Sequence, residues 1–156
     1  MDEVQVLTIR QATLEDMEYI INNMYPADIE EVKACGWSPY EAVTLSVQKS
    51  EQVWVASAPE GAVCIWGVER TTLIGGALGW LLTSNLIDKY SRPFLRQAKS
   101  CIVDLHKQYG YIDNYVDSRH TRALRFLEWL GFEIASKGVY VGTQQVPFYK
   151  VCLQER

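Results

Sequence analysis

The chain has 156 residues, 48% of them apolar and 22% charged, which is the size and balance of one globular domain spanning 1–156. Such a chain buries roughly two-thirds of its unfolded surface and needs neither disulfide nor metal to fold. The formal net charge of −4 argues against a general nucleic-acid binder, and the two histidines, His106 and His120, are too few and too scattered for a zinc site. The cysteines at 35, 64, 101 and 152 form no C-x-x-C pair and read as reduced core residues. No apolar run reaches ~18 residues, so no membrane span is expected. The acidic start, with Asp2 and Glu3, lacks the positive region of a signal peptide, and the expectation is a cytoplasmic protein.

In chain order, residues 4–9 have strand content. Thr13 to Asp16 reads as a capping box before Met17, Ile20, Ile21 and Met24 at helical spacing. Pro26 interrupts, and a short helix over 28–35 stops at Gly36. Ser38, Pro39 and Glu41 start a third helix that runs to about Gln48. Strands follow over 52–56 and 62–68, joined by a turn at Pro59, Glu60 and Gly61. After a loop over 71–76 comes a strand over 77–83. These runs are apolar almost throughout, so they should be central and covered on both faces. Ser91, Arg92 and Pro93 open the best helix, with Phe94, Leu95, Ala98, Cys101, Ile102 and Leu105 on one stripe and Gly110 at its end. A strand over 111–116, a helix over 121–130 closed by Gly131, and a strand pair over 132–141 and 146–153 complete the chain.

This order predicts an α+β domain: a mixed, mostly antiparallel sheet with one parallel pair created by the late strand–helix–strand step. A ligand is expected where that pair splays, beside the N-terminus of the long helix.

The segment from His120 to Phe132 resembles the C-terminal motif of the GNAT family of N-acetyltransferases, with Ala123, Gly131 and Phe132 matching. The element order is similar to that fold over nearly the whole chain. The resemblance implies acyl transfer from acetyl-CoA to an amine on a small molecule or protein. Three departures accompany it. His120 stands where the family often has Asn, and Leu127 where it often has the Tyr that protonates the coenzyme thiolate. The Gln/Arg-x-x-Gly-x-Gly/Ala phosphate loop is replaced by residues 84–93, which contain no glycine. More narrowly, the stretches 29–36, 43–46 and 114–127 resemble small GNAT-like internal virion or morphogenesis proteins of short-tailed phages. That likeness implies a phage gene expressed in a bacterial cytoplasm and a virion-associated or host-protein partner.

Acyl transfer needs a phosphate grip, a polarised carbonyl and routes for two protons. Lys89, Arg92 and Arg96 cluster at the start of the long helix and offer the grip, unless they are a solvated basic edge. Arg119, Arg122 and Arg125 repeat on the last helix, either meeting a phosphate or forming its wet face. Backbone N–H groups between Gly79 and Leu82 are placed to polarise the carbonyl, with Leu81, Leu82 and Thr83 expected along the donor. Glu69, Ser84, Tyr115, His120, Tyr140 and Tyr149 are the candidate acids and bases, of which Glu69, Ser84, Tyr115 and His120 form the preferred catalytic set. His120 also reads as a packing or capping residue. Trp37 lines an acceptor groove or plugs a helix junction. Three functions therefore stand open: an acyl-CoA-dependent N-acyltransferase, a non-catalytic descendant acting in phage assembly or host interaction, or a nucleic-acid-modifying enzyme on the same scaffold, against which the acidic balance argues.

Overall fold

The computed structural model describes residues 6–71 and 75–154. The elements are β1 (Thr8–Gln11), α1 (Leu14–Asn22), α2 (Pro26–Ala34), α3 (Pro39–Lys49), β2 (Gln52–Ala58), β3 (Gly61–Arg70), β4 (Ala77–Thr83), α4 (Ile87–Tyr109), β5 (Ile112–Asp117), α5 (Thr121–Trp129), β6 (Glu133–Val141) and β7 (Val146–Leu153). Residues 4 and 5 of the first expected strand, and 72–74 of the expected loop, lie outside the described residues.

Local chemistry sets the helix starts. Thr13 and Asp16 form a reciprocal capping box on α1, reinforced by Arg10, which grips the Asp16 carboxylate. Ser38 and Glu41 do the same for α3, with Pro39 at the first position. Pro26 was expected to separate two helices from outside. Instead it begins α2, because its missing N–H is no loss in a first turn. The long helix also starts earlier than its sequence signal: a single turn begins at Ile87, and Tyr90, at φ −112° and ψ 16°, breaks the helical path before the straight portion. Pro93 thus sits in the first turn of that straight portion, where no helical donor is required.

The seven strands form one sheet in the order β1-β2-β3-β4-β5-β7-β6. Every neighbouring pair is antiparallel except β4 and β5, which are parallel. Val63 to Val68 of β3 are buried, as expected of a strand covered on both faces. One face packs on α4 through Phe94, Ala98 and Leu105, with α5 beside it. The other packs on Ile20 of α1, Val32 of α2 and Val43 of α3. Trp66 is in the core, whereas Trp54 and Trp80, also expected inside, remain partly exposed. All four cysteines are free, and Cys35 is exposed at the end of α2 rather than in the core. Among the described residues no helix is long and apolar enough to cross a membrane.

Candidate functional site

The parallel ladder between β4 and β5 is two rungs long, Ala77 with Ile112 and Leu78 with Asp113. Beyond it the strands part. Asn114 Nδ2 donates to the Gly79 carbonyl at 2.6 Å, a side-chain bridge across the start of the gap. The amides of Ala77 and Thr83 both point away from β3, to Tyr111 O and to Asp28 respectively. With a strand period of two, Leu81 also turns its N–H and C=O into the gap.

The far end of β4 is held by the α1–α2 junction in place of β5. Asp28 Oδ2 accepts from Thr83 N at 2.7 Å and from Thr83 Oγ1 at 2.5 Å, and Tyr25 N donates to Thr83 O at 2.9 Å. The other Asp28 oxygen is 2.6 Å from His120 Nε2. The remaining ring nitrogen, Nδ1, accepts from Ala123 N at 3.3 Å as the N-cap of α5. Those two bonds define the neutral ring with its proton on Nε2. Burial opposes a charge on His120, but the Asp28 hydrogen bond and the charges of Asp28, Glu31 and Asp117 outweigh it and hold its pKa above the ordinary value. A second proton therefore has electrostatic support but breaks the cap.

Glu31, one turn along α2 from Asp28, accepts from Asp117 N at 3.0 Å. Burial pushes its pKa up to about 7, and the neighbouring Asp28 and Asp117 add to the shift against the opposing pull of that amide and of His120. Asp117 behaves oppositely. Its burial is outweighed by Arg119, which binds both of its oxygens and holds its pKa below the ordinary value.

Two cavities meet at the parting. One, of about 620 Å³, lies on the α4–α5 face of the sheet, between Leu95 and Ala98 on one side and Phe126 and Leu127 on the other. The second, of about 470 Å³, lies on the opposite face, enclosed by α2, α3, Trp37 and the β6–β7 hairpin. Glu31, Trp80, Leu81, Asn114 and Tyr115 line both.

Of the residues singled out in the sequence, Leu81 and Tyr115 stand at this junction, Thr83 and His120 line the α4–α5 cavity, and Leu82, Glu69 and Trp37 line the other. Ser84 belongs to neither. It is fully buried and its hydroxyl donates to Ala62 O at 2.6 Å. Tyr140 and Tyr149 are also outside both cavities. So are Lys89, Arg92 and Arg96: Lys89 is ion-paired to Glu60 at 2.9 Å, and the two arginines are exposed on the outer side of α4. The cations that do line the α4–α5 cavity are Arg122 and Arg125. Asp28, Glu31 and Asn114 were not singled out. Asp28 and Glu31 carry one legible sign, an i, i+3 spacing that puts both carboxylates on one face of a short helix.

The phosphate loop expected of such a site is absent chemically as well as in sequence. Every backbone N–H from Ser84 to Tyr90 is engaged: with Val63 O, Asn23 O, Ser84 Oγ, Ser84 O, Asn85 O, Leu86 O and Leu86 O in turn. No amide from Ser84 to Tyr90 is left open to a pyrophosphate.

No protein-family model matches the chain, and no curated protein matches it in sequence. Solved structures do match in shape. Ard1 of Thermoplasma volcanium superposes with a TM-score of 0.72 at 16% identity, covering 96% of this chain and 97% of that one. The spermidine N-acetyltransferase of Vibrio cholerae, solved with CoA and spermine, gives 0.67 at 14% identity, with 96% and 95% covered. The protein smu.2055 of Streptococcus mutans UA159 gives 0.65 at 14% identity, with 94% and 98% covered. Over almost its entire length, the chain has the fold of the GNAT N-acetyltransferases.

Proposed function

We propose that the protein is a GNAT-type N-acyltransferase that passes an acyl group from a pantetheine thioester, such as acetyl-CoA, to an amine through the gap between β4 and β5. The observation that carries this reading is that two cavities on opposite faces of the sheet share a lining at the parting, which includes Leu81 of β4 and Glu31, a carboxylate whose pKa burial pushes up to about 7. The thioester supplies an activated acyl carbon. Leu81 N–H is aimed to donate to its carbonyl oxygen as negative charge develops there. Glu31 takes the proton from the incoming ammonium, so that the amine lone pair attacks the carbon while the C–S bond breaks. Tyr115, at the junction, supplies a proton to the departing thiolate and regains one from the nitrogen, which sheds its second proton as the amide forms. In the opposite cavity, Trp37, Trp80 and Val139 favour an amine with an apolar body. Acetyl-CoA with a panel of alkyl and arylalkyl amines tests the reading. Amide formation that falls at least a hundredfold in Glu31→Gln is expected. No product and no thermal shift at millimolar donor overturns it.

The engaged amides and Leu127, which lines the α4–α5 cavity in place of a tyrosine, favour a second reading: a non-catalytic assembly or host-interaction protein of phage type. It gains ground if the donor titration is silent and a defined virion or host protein binds the chain stoichiometrically.

A further inference from the structure

A helix N-terminus attracts an anion through open N–H groups and unopposed positive charge, and the start of α4 offers little of either. The seven amides from Ser84 to Tyr90 all have protein acceptors. Pro93 has no N–H to add. Two of the nearby cations are paired with carboxylates. The Glu60 carboxylate, on the β2–β3 turn, accepts from Tyr90 Oη at 2.5 Å and from Lys89 Nζ at 2.9 Å. Asp88 accepts from Arg122 Nη1 at 2.7 Å, and that guanidinium also stacks on Tyr25, 5.1 Å from its centroid. Two carboxylates thus stand at the turn, each neutralising a cation that would otherwise meet a phosphate. Arg125 at the rim and Arg92 and Arg96 on the outer side of α4 are all exposed, and a solvated cation of that kind contributes less than about tenfold to affinity.

The rest of the cavity is apolar. Leu95, Ala98 and Ile102 face Ala123, Leu127 and Leu130 across it. No residue of α5 is fully buried, and beside the Phe94–Phe126 ring contact a cavity of about 620 Å³ remains between the two helices.

Building on the acyl-transfer reading, we infer that the donor is recognised through its acyl-pantetheine arm, and that the nucleotide diphosphate half of coenzyme A contributes little. The apolar wall between α4 and α5 holds the arm, Leu81 and Asn114 meet its acyl end, and the amides from Ser84 to Tyr90 are not free to grip a phosphate. The substrate class is therefore any short acyl-pantetheine thioester, with or without an attached nucleotide.

Calorimetry and steady-state kinetics on the full chain compare acetyl-CoA with S-acetyl-pantetheine, using one amine acceptor. The expected result is Kd and kcat/KM values within about tenfold of each other, and a Kd for acetyl-CoA that holds as ionic strength rises. The double variant Arg92→Ala, Arg96→Ala should leave the ratio unchanged. A preference for acetyl-CoA of a hundredfold or more, a steep loss of its affinity with salt, or its selective loss in the double variant overturns the inference while leaving acyl transfer intact. Binding of both ligands without amide formation supports arm recognition and removes the transferase reading instead. Silence with both ligands removes both.

Discussion

The Asn114 side-chain amide lies 2.6 Å from the Gly79 carbonyl, at the place where the β4–β5 ladder would have its next rung. Its own carbonyl oxygen accepts from Tyr115 N at 2.7 Å, so the side chain is fixed at both ends. One residue thereby ends the strand pairing without leaving the Gly79 acceptor unpaired. Asn114→Ala should cost about 1 kcal/mol in chemical denaturation, because a half-buried hydrogen bond is lost. It should also lower kcat/KM by about tenfold or more, since the walls of the gap lose their spacing. A variant as active as the native chain would show that the bridge does not set the parting.

The two protonation states of Glu31 pull activity and stability in opposite directions. Its pKa rises from an ordinary 4.5 to about 7 on folding, through burial first and carboxylate neighbours second. The folded state therefore holds the proton more tightly than the unfolded chain. The associated stability is fully present below about 4.5 and is lost as pH climbs through about 7. Activity that needs the carboxylate as base should rise through the same range. Glu31→Gln should remove the acid limb of the rate profile and flatten the stability profile between these pH values. A rate limb near pH 7 that survives in the variant would assign the base elsewhere.

The fold was legible because its punctuation is local. Capping boxes at Thr13 and Ser38, Gly110 at φ 77° after α4, and the apolar stripe of that helix are each readable within a few residues. The parallel pair followed from element order alone. The site was less legible because its chemistry is made by distant contacts. Asp28 meets Thr83 across 55 positions and His120 across 92, and Glu31 meets Asp117 across 86. On the page, Asp28, Glu30 and Glu31 look like the solvated side of a short helix; only the tertiary fold buries Asp28 and half-buries Glu31. The basic cluster failed to reach the cavity for a related reason. The extra turn from Ile87 has no side-chain cap to announce it, and it leaves Arg92 and Arg96 on the outer side of α4.

His120 joins two elements through both ring nitrogens, and its substitutions should separate structure from catalysis. His120→Ala leaves the buried Asp28 carboxylate without one partner and α5 without its cap. The expected loss is about 3 kcal/mol or more, read by denaturant titration. His120→Asn keeps a capping oxygen but is too short to span the 2.6 Å contact made by Nε2, so it should recover about 1 kcal/mol of that loss. Turnover per folded molecule should fall far less in either variant than in Glu31→Gln. A folded His120→Asn protein with a rate loss as deep as that of Glu31→Gln would make the imidazole a proton carrier rather than a positioning residue.

A close approach of backbone to backbone sets the β6–β7 turn against α2 beside the second cavity. Gly142, at φ 73° in the β6–β7 turn, lies so near the end of α2 that an added Cβ would fall 2.1 Å from the Ala34 carbonyl oxygen. That neighbour is backbone and cannot rotate away. Gly142→Ala therefore combines a left-handed backbone position with a steric clash, and the hairpin must lift from α2 to accommodate it. The hairpin supplies Val139, Val141 and Phe148 to the cavity, so lifting it should raise KM for the amine severalfold while KM for the thioester, bound across the sheet, stays nearly constant. The variant should also lose about 1–3 kcal/mol of stability. Equal effects on the two KM values would place both substrates on one face and contradict the division of the site between the two sides of the sheet.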